Sequence, residues 1–277
     1  MSTVKLQSPG ALAPDSNSHT SSRVVVCRDD EITPGGIDLI GLSEGLALPL
    51  VDCTGDIDAD WMLCVIDGRL MIRWAHPSDG SGPVCATLGP VGGRRFAGLY
   101  RHQPLAKAIG RPVTTVVDAT AGLGQDSFLI ASYGPRVIAM ERSPIIAALL
   151  SDGLRRSREQ HATTARIVGR IEVQQIDAQL ALPLLRPPPD VVYIDPMFPP
   201  KRRQSALAKK EIRTLRALVG DDTDAHPLLE IARAVARRRV VVKRPDHAPP
   251  LAPNPTVSHK GKLVRYDVYV TKGAAVK

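Results

Sequence analysis

The chain has 277 residues, 43% hydrophobic and 23% charged, with a formal net charge of +8. That is enough for one large α/β domain with a small appendage, and no apolar run approaches the length that spans a bilayer. The basic balance (isoelectric point about 9.5) admits a polyanionic partner without requiring one.

Residues 1–22, rich in Ser, Pro and Asn, read as a disordered tail. They lack a charged segment followed by an apolar one, so no secretory signal is expected and the reading is cytoplasmic. Cys27, Cys53, Cys64 and Cys85 form no CxxC pair and have no His at metal-ligand spacing, so reduced thiols are expected. The seven histidines form no HxxxH or HxxE pattern, so no metal is expected.

In chain order, "RVVVCRD", "GLALPLVD" and "WMLCVIDGRLMIRW" read as short strands, with Asp67-Gly68 as a hairpin turn. They outline a small β-rich N-terminal subdomain over 23–90, followed by the glycine-rich connection "GPVGGRRFAG". Residues 91–277 then alternate strands with amphipathic helices. "TTVVDAT" is a strand, "GQDSFLIASYG" a helix ending at Gly134, and "RVIAMER" a second strand. "SPIIAALLSDGLRRSRE" is a helix with Ser143 as N-cap and Pro144 in its first turn. "RIEVQQID" and "VVYID" are the third and fourth strands, and "SALAKKEIRTLRALVG" and "PLLEIARAVARR" are helices. "RVVVKRP" and "LVRYDVYV" close the series. Such alternation implies a mainly parallel sheet with helices on both faces, whose ligands bind at the carboxyl ends of the strands.

Four carboxylates fall at those ends: Asp118, Glu141, Asp177 and Asp195. A capping or turn role explains any one of them alone, but not readily all four beside a glycine-rich turn. That turn, "DATAGLGQD", carries Gly122 and Gly124, and glycines there let a ligand approach the backbone and the first helix N-terminus. Glu141, seventeen residues beyond Gly124, stands where a dinucleotide fold places its ribose-binding acid. The turn is not GxGxxG, and Asp118 and Asp126 would repel phosphates, which disfavours NAD(P). A cationic nucleoside, S-adenosylmethionine, suits an acid-lined site better.

The fourth strand runs into "DPMFPPKRR". "DPMF" has the form of the D/N-P-P-Y/F/W loop of methyltransferases that act on exocyclic amines. Asp195 and the carbonyl of Pro196 would accept hydrogen bonds from a base amine, and Phe198 would stack on the base. The prolines pre-organise the loop. Between Pro199 and Arg216 stand seven cations against one acid, and Lys201, Arg202 and Arg203 are placed to hold phosphates around the target nucleotide. A solvated helix face explains the cluster equally well. "KRPD", Lys243 to Asp246, faces the same edge, either touching RNA or simply ending its strand.

Three long stretches, "VVDATAGLGQDSFLIASYGPRVIAMERSPIIAALLSDGL", "VVYIDPMFPPKRRQSALAKKEIRTLRALVG" and "RVVVKRPDHAPPLA", closely resemble the RsmJ-type methyltransferases. The resemblance covers roughly residues 105–270 and is weak before Gly92. It implies the class I S-adenosylmethionine-dependent methyltransferase fold, and methylation of the N2 amine of a guanosine in 16S rRNA. The implied partner is small-subunit ribosomal RNA or the 30S subunit, with no membrane and no obligate protein partner. The implied cofactor contacts are Gln125 and Asp126 after the glycine turn, Glu141 and Arg142 at the ribose end, Asp177 and Ala178 after the third strand, and Asp195. Gln125 stands where the family more often has Arg and Asp177-Ala178 where it often has two serines, whereas "DPMF", with Met197 in place of the second proline, is the family's own variant of the amine-methylation loop. The competing reading from another class is a non-catalytic RNA-binding module on a degenerate methyltransferase fold, against which the intact acids and DPMF loop speak.

Overall fold

The computed structural model describes residues 23–28, 36–53, 57–76, 82–89, 103–196, 217–218 and 224–271. The expected tail, the glycine-rich connection beyond Gly89, Phe198, Lys201, Arg202, Arg203 and nearly all of the helix "SALAKKEIRTLRALVG" lie outside the described residues.

The N-terminal region forms a four-stranded sheet in the order β2-β1-β3-β4, with β1 Val24–Arg28, β2 Leu50–Asp52, β3 Trp61–Ile66 and β4 Arg69–Trp74. The β3–β4 hairpin turns on Asp67 and Gly68, both at positive φ (50° and 69°), the geometry that matches strand twist. Strand β1 pairs in parallel with both β2 and β3. A parallel pair needs a crossover, and helix α1 (Leu39–Leu46) supplies it where short strands and turns were expected. Asp38 caps α1 by accepting from Gly41 N at 2.9 Å. Gly41, Ser43 and Gly45 dilute the helical pattern, which is why the sequence reads there as loop and strand.

The expectation of four reduced cysteines is corrected for two of them. The parallel register sets Cys27 opposite Val51, so Cys53 arrives with its Cα 5.5 Å from that of Cys27, and the two form a disulfide. Cys64 and Cys85 are free thiols.

The second sheet has seven strands in the order β10-β11-β9-β8-β5-β6-β7. Its strands are β5 Thr115–Asp118, β6 Arg136–Glu141, β7 Ile171–Gln175, β8 Val191–Ile194, β9 Arg239–Pro245, β10 Val257–Lys260 and β11 Val264–Val270. The run β7-β6-β5-β8-β9 is parallel, and β11 is antiparallel to both neighbours. On β8, Val191 and Tyr193 enter one core while Val192 and Ile194 enter the other. A strand buried on both faces therefore reads as a continuous apolar run.

Helices α2 (Pro104–Ile109), α3 (Gln125–Ser132), α4 (Pro144–Arg158) and α5 (Ala162–Val168) contribute to the first core. The one-turn α6 (Ala178–Ala181) and α7 (Ala225–Val235) contribute to the second. Helix α4 also carries the small sheet. Ile145, Ile146 and Leu149 join the cluster of Val26, Trp61 and Ile72, and the buried Asp152 accepts from Leu70 N (3.1 Å) and Arg156 Nε (2.7 Å). Gly153 permits this docking, since a Cβ there would lie 2.6 Å from that of Ala86. The chain enters the sheet at β5, the middle of the parallel run β7-β6-β5-β8-β9, and runs outward first one way and then the other. The crevice between β5 and β8 is thus the switch point where this architecture binds ligands.

Candidate active site

At that point an open cleft lies over the carboxyl ends of the strands. Its lining includes Ala119, Thr120 and Gly122 after β5, Glu141 and Arg142 after β6, Asp177 and Ala178 after β7, and Asp195 and Pro196 after β8. Asp224 and Leu228, at the start of α7, complete it.

Each acid is fixed by the backbone around it. Glu141 Oε2 accepts from Gly122 N at 2.9 Å and Oε1 from Ser143 N at 2.8 Å, tying the glycine turn to the end of β6. Asp177 caps α6 by accepting from Gln179 N at 2.8 Å. Asp224 Oδ2 accepts from Arg142 Nη1 (3.0 Å) and Gln179 Nε2 (2.7 Å), linking α7 to the ends of β6 and β7. Asp195 donates its backbone N–H to Thr120 Oγ1 (2.7 Å), and its Oδ2 accepts from Lys243 Nζ (2.9 Å).

The two glycines of the turn do different work. Gly122 (φ 53°) faces open space, whereas a Cβ on Gly124 (φ 79°) would come within 2.3 Å of Leu150 Cδ1. Gly122 keeps the wall open beside Glu141, and Gly124 lets α3 pack against α4.

Gln125 and Asp126, expected at the cofactor, are not part of this lining. Gln125 is exposed on the first turn of α3. Asp126 Oδ2 accepts from Lys243 Nζ (2.8 Å) and Tyr193 Oη (2.6 Å), beneath β8 and β9. Lys243 therefore bridges Asp126 and Asp195. Burial alone would lower its pKa, but the charges of Asp195 and Asp126 outweigh it and raise it above the ordinary lysine value. "KRPD" does end its strand, β9 stopping at Pro245, and its Lys243 ammonium is in addition taken up within the protein. It sits between two carboxylates, a pairing that joins residues 117 and 48 positions apart and leaves no local trace in sequence.

The acids expected to repel phosphate prove to be the wrong ones. Asp118 is 1% exposed, accepting from Ser127 Oγ (2.5 Å) and Thr120 N (3.2 Å). Burial pushes its pKa up to about 7 against the pull of Ser127, with Asp126 and Asp195 adding to the rise. Asp126 shares the Lys243 ammonium with Asp195 and does not line the cleft. The negative field of the cleft comes instead from Glu141, Asp177, Asp195 and Asp224, against the single cation Arg142 among its lining residues.

The state of Asp118 has a consequence for stability. Between about pH 4 and pH 7 the folded protein binds a proton here that the unfolded chain does not, so this group's contribution to stability falls as pH rises. The Asp118→Asn protein should lose that dependence. Its unfolding free energy relative to the parent should improve by roughly 2–4 kcal/mol from pH 4 to pH 8. Urea titrations at the two pH values measure this, and parallel stability curves would place the titrating group elsewhere.

The donor set fits S-adenosylmethionine. Four acids suit a sulfonium and an ammonium, and Glu141 is anchored at the end of β6 against the glycine turn. The open face of Gly122 admits close approach, and Ile146, Ile176 and Leu228 offer apolar walls for an adenine. Among the described residues no cluster of three or more metal-ligating side chains occurs, and no helix is long and apolar enough to cross a membrane.

Comparison with known proteins agrees with this geometry. The SAM-dependent methyltransferase family profile matches residues 53–271. The ribosomal RNA small subunit methyltransferase J of Thioalkalivibrio sulfidiphilus is 44% identical over 245 residues, 84% of this chain and 94% of that protein. The enzyme of the same name from Pectobacterium atrosepticum is 45% identical over 220 residues, covering 78% and 88%. A crystal structure of a SAM-dependent methyltransferase from Neisseria gonorrhoeae superposes with a TM-score of 0.66 at 32% identity, covering 91% of this chain and 97% of that one.

Proposed function

From the premise that the chain belongs to the ribosomal RNA small subunit methyltransferase J family of SAM-dependent enzymes, we propose that it methylates the exocyclic N2 amine of a guanosine in 16S rRNA. The observation that carries this reading is Asp195: the first residue of "DPMF", in the wall of the cleft, held by Thr120 on its backbone and by Lys243 on one carboxylate oxygen.

Guanine N2 is a poor nucleophile because its lone pair is delocalised into the ring. S-adenosylmethionine, when bound, supplies an electrophilic methyl group. Glu141 would accept from the ribose hydroxyls, Asp177 and Ala178 would flank the adenine, and Arg142 with Asp224 would close the outer end. With Oδ2 of Asp195 held by Lys243, Oδ1 accepts one amine hydrogen and the Pro196 carbonyl accepts the other. Both bonds turn the lone pair out of conjugation and toward the methyl donor. As the N–C bond formed, the sulfonium's S–C bond would break with sulfur keeping the electron pair, and the methylated amine would lose a proton to solvent, eased by its hydrogen bond to Asp195. Lys201, Arg202 and Arg203 would hold the flanking phosphates and Phe198 the flipped base. The enzyme works on rRNA in the cytoplasm, as naked RNA or within the 30S particle.

Mass spectrometry of 16S rRNA from cells with and without the gene tests the reading. One guanosine should lose an N2-methyl group in the deletion strain, and unchanged rRNA would overturn it. The cofactor half has its own test. Glu141→Ala should weaken S-adenosylmethionine binding by roughly 1–3 kcal/mol in calorimetry, the cost of leaving charged hydrogen bonds unmade. An unchanged Kd would remove Glu141 from the cofactor site.

A further inference from the structure

The β10–β11 hairpin ends in a feature that the cofactor site does not use. Strand register places it. Val264 pairs with Pro245 and Lys260 with Arg265, so the tip, residues 261–263, lies at the same carboxyl edge as Asp195. β11 is two strands from β8, about 10 Å across the sheet. Leu263 at the tip is 83% exposed, the most exposed of the large hydrophobic residues described. Lys260 and Lys262 beside it are exposed.

An apolar side chain in that position is not on a loose loop. Gly261 N donates to Val264 O at 2.7 Å, and a Cβ on Gly261 would lie 2.9 Å from that oxygen, so only glycine allows the turn. Asp246 N donates to Leu263 O (3.2 Å), fastening the tip to the chain leaving β9. Buried Arg265 donates to the carbonyls of Pro245 (3.0 Å) and Asp246 (2.7 Å) and to both oxygens of Asp267. Asp246 pairs loosely with Lys260 at 3.5 Å, and among the described residues Lys262 makes no ion pair.

We propose that this hairpin is a second RNA-contacting element, in which Leu263 packs against a base or sugar next to the target nucleotide while Lys262 and Lys260 hold adjacent phosphates. The proposal rests on the reading of the protein as an rRNA methyltransferase. Two observations favour RNA over a protein partner: the cations flanking the apolar tip, and the tip's place on the edge where the target base must enter. A base taken out of its stack leaves a gap, and a rigid apolar wedge beside the pocket is the usual means of holding such a gap open.

Full-length Leu263→Ser and Lys262→Ala proteins can be compared with the parent on 30S subunits from cells lacking the enzyme. Leu263→Ser should lower kcat/KM for the subunit by roughly tenfold, the low end for one lost base contact. Lys262→Ala should flatten the slope of log affinity against log salt by about 0.7. Both should bind S-adenosylmethionine and melt as the parent does, because both side chains are exposed. A photo-crosslinking residue at position 263 should label 16S rRNA. Parental kinetics and salt slope in both variants would overturn the proposal, as would crosslinks only to a ribosomal protein, which would make the tip a protein contact. If the parent does not methylate guanosine N2, the functional reading fails, while the salt slope and crosslink still decide whether the hairpin touches RNA.

Discussion

Asp195→Asn should reduce methyl transfer by about 10²-fold or more, although the side chain keeps its shape. The reason lies in counting acceptors. Lys243 Nζ can only donate, and it occupies Asp195 Oδ2 at 2.9 Å. A guanine amine also only donates through its hydrogens. The carboxylate meets both with its two oxygens, whereas an asparagine amide has one oxygen and one NH₂. Its one oxygen can accept twice, but with the NH₂ on the opposite side the amide cannot present an acceptor both toward Lys243 and toward the amine, as the carboxylate does. Single-turnover assays with labelled methyl donor and undermethylated small subunits isolate this step from product release. Loss of one ion pair at a side chain 35% exposed should cost little stability, about 0–1 kcal/mol, so a large rate loss would not reflect unfolding. Transfer to guanosine N2 at a near-parental rate would leave "DPMF" as scaffold only.

The fold was legible in sequence wherever burial writes a pattern. The core strands β5, β6, β8 and β9 are buried on both faces, so their apolar runs stand out. Ser143 and Pro144 announce the start of α4, and Asp67-Gly68 the hairpin. Helices α1, α2, α5 and α6 were not legible, being four to eight residues long, too short for a periodic stripe to separate from loop. Strand β10 carries only a half-buried His259 among exposed residues at the sheet edge, its one apolar residue, Val257, being exposed too, so no buried pattern marks it. In the site, residues that end strands could be found by position: Glu141, Arg142, Asp177, Ala178 and Asp195 all line the cleft. What sequence could not supply was which way an acid faces. Asp118 and Asp126 have the same spacing and type as cleft acids, yet one is buried against Ser127 and the other is taken up by Lys243 and Tyr193. Asp224, in the acidic run "DDTD", gives no signal that it reaches Arg142 and Gln179 across the cleft.

Lys243 ought then to be a positioning residue, and Lys243→Met should show it. Asp126 and Asp195 each touch its ammonium, at 2.8 and 2.9 Å, so their oxygens lie within about 6 Å of one another, close enough for like charges to interact strongly. Without the cation they repel. Asp195 should leave the position in which Oδ1 meets the amine, and kcat should fall by roughly tenfold or more, as for loss of an oriented polar group. Stability should drop by about 1–3 kcal/mol, less than for a fully buried pair, since the acids keep some solvent. Lys243→Arg, which keeps the charge, should recover part of the rate. Two further readouts separate positioning from mere support. In the parent, Lys243 stays charged across the working range, its pKa being raised, so it imposes no pH dependence near neutrality. In Lys243→Met, the paired carboxylates, with Asp118 nearby and Tyr193 and Tyr266 as their neutral neighbours, should hold a shared proton more tightly. Activity that needs Asp195 ionised should therefore rise with pH where the parent is flat. The second readout is a double-mutant cycle. Once Lys243 is gone, an asparagine at 195 is free to turn its one oxygen to the amine, so Asp195→Asn should cost much less in the Lys243→Met background than its 10²-fold in the parent. If the two losses multiply instead, Lys243 supports the fold of the β9 edge and does not act through Asp195.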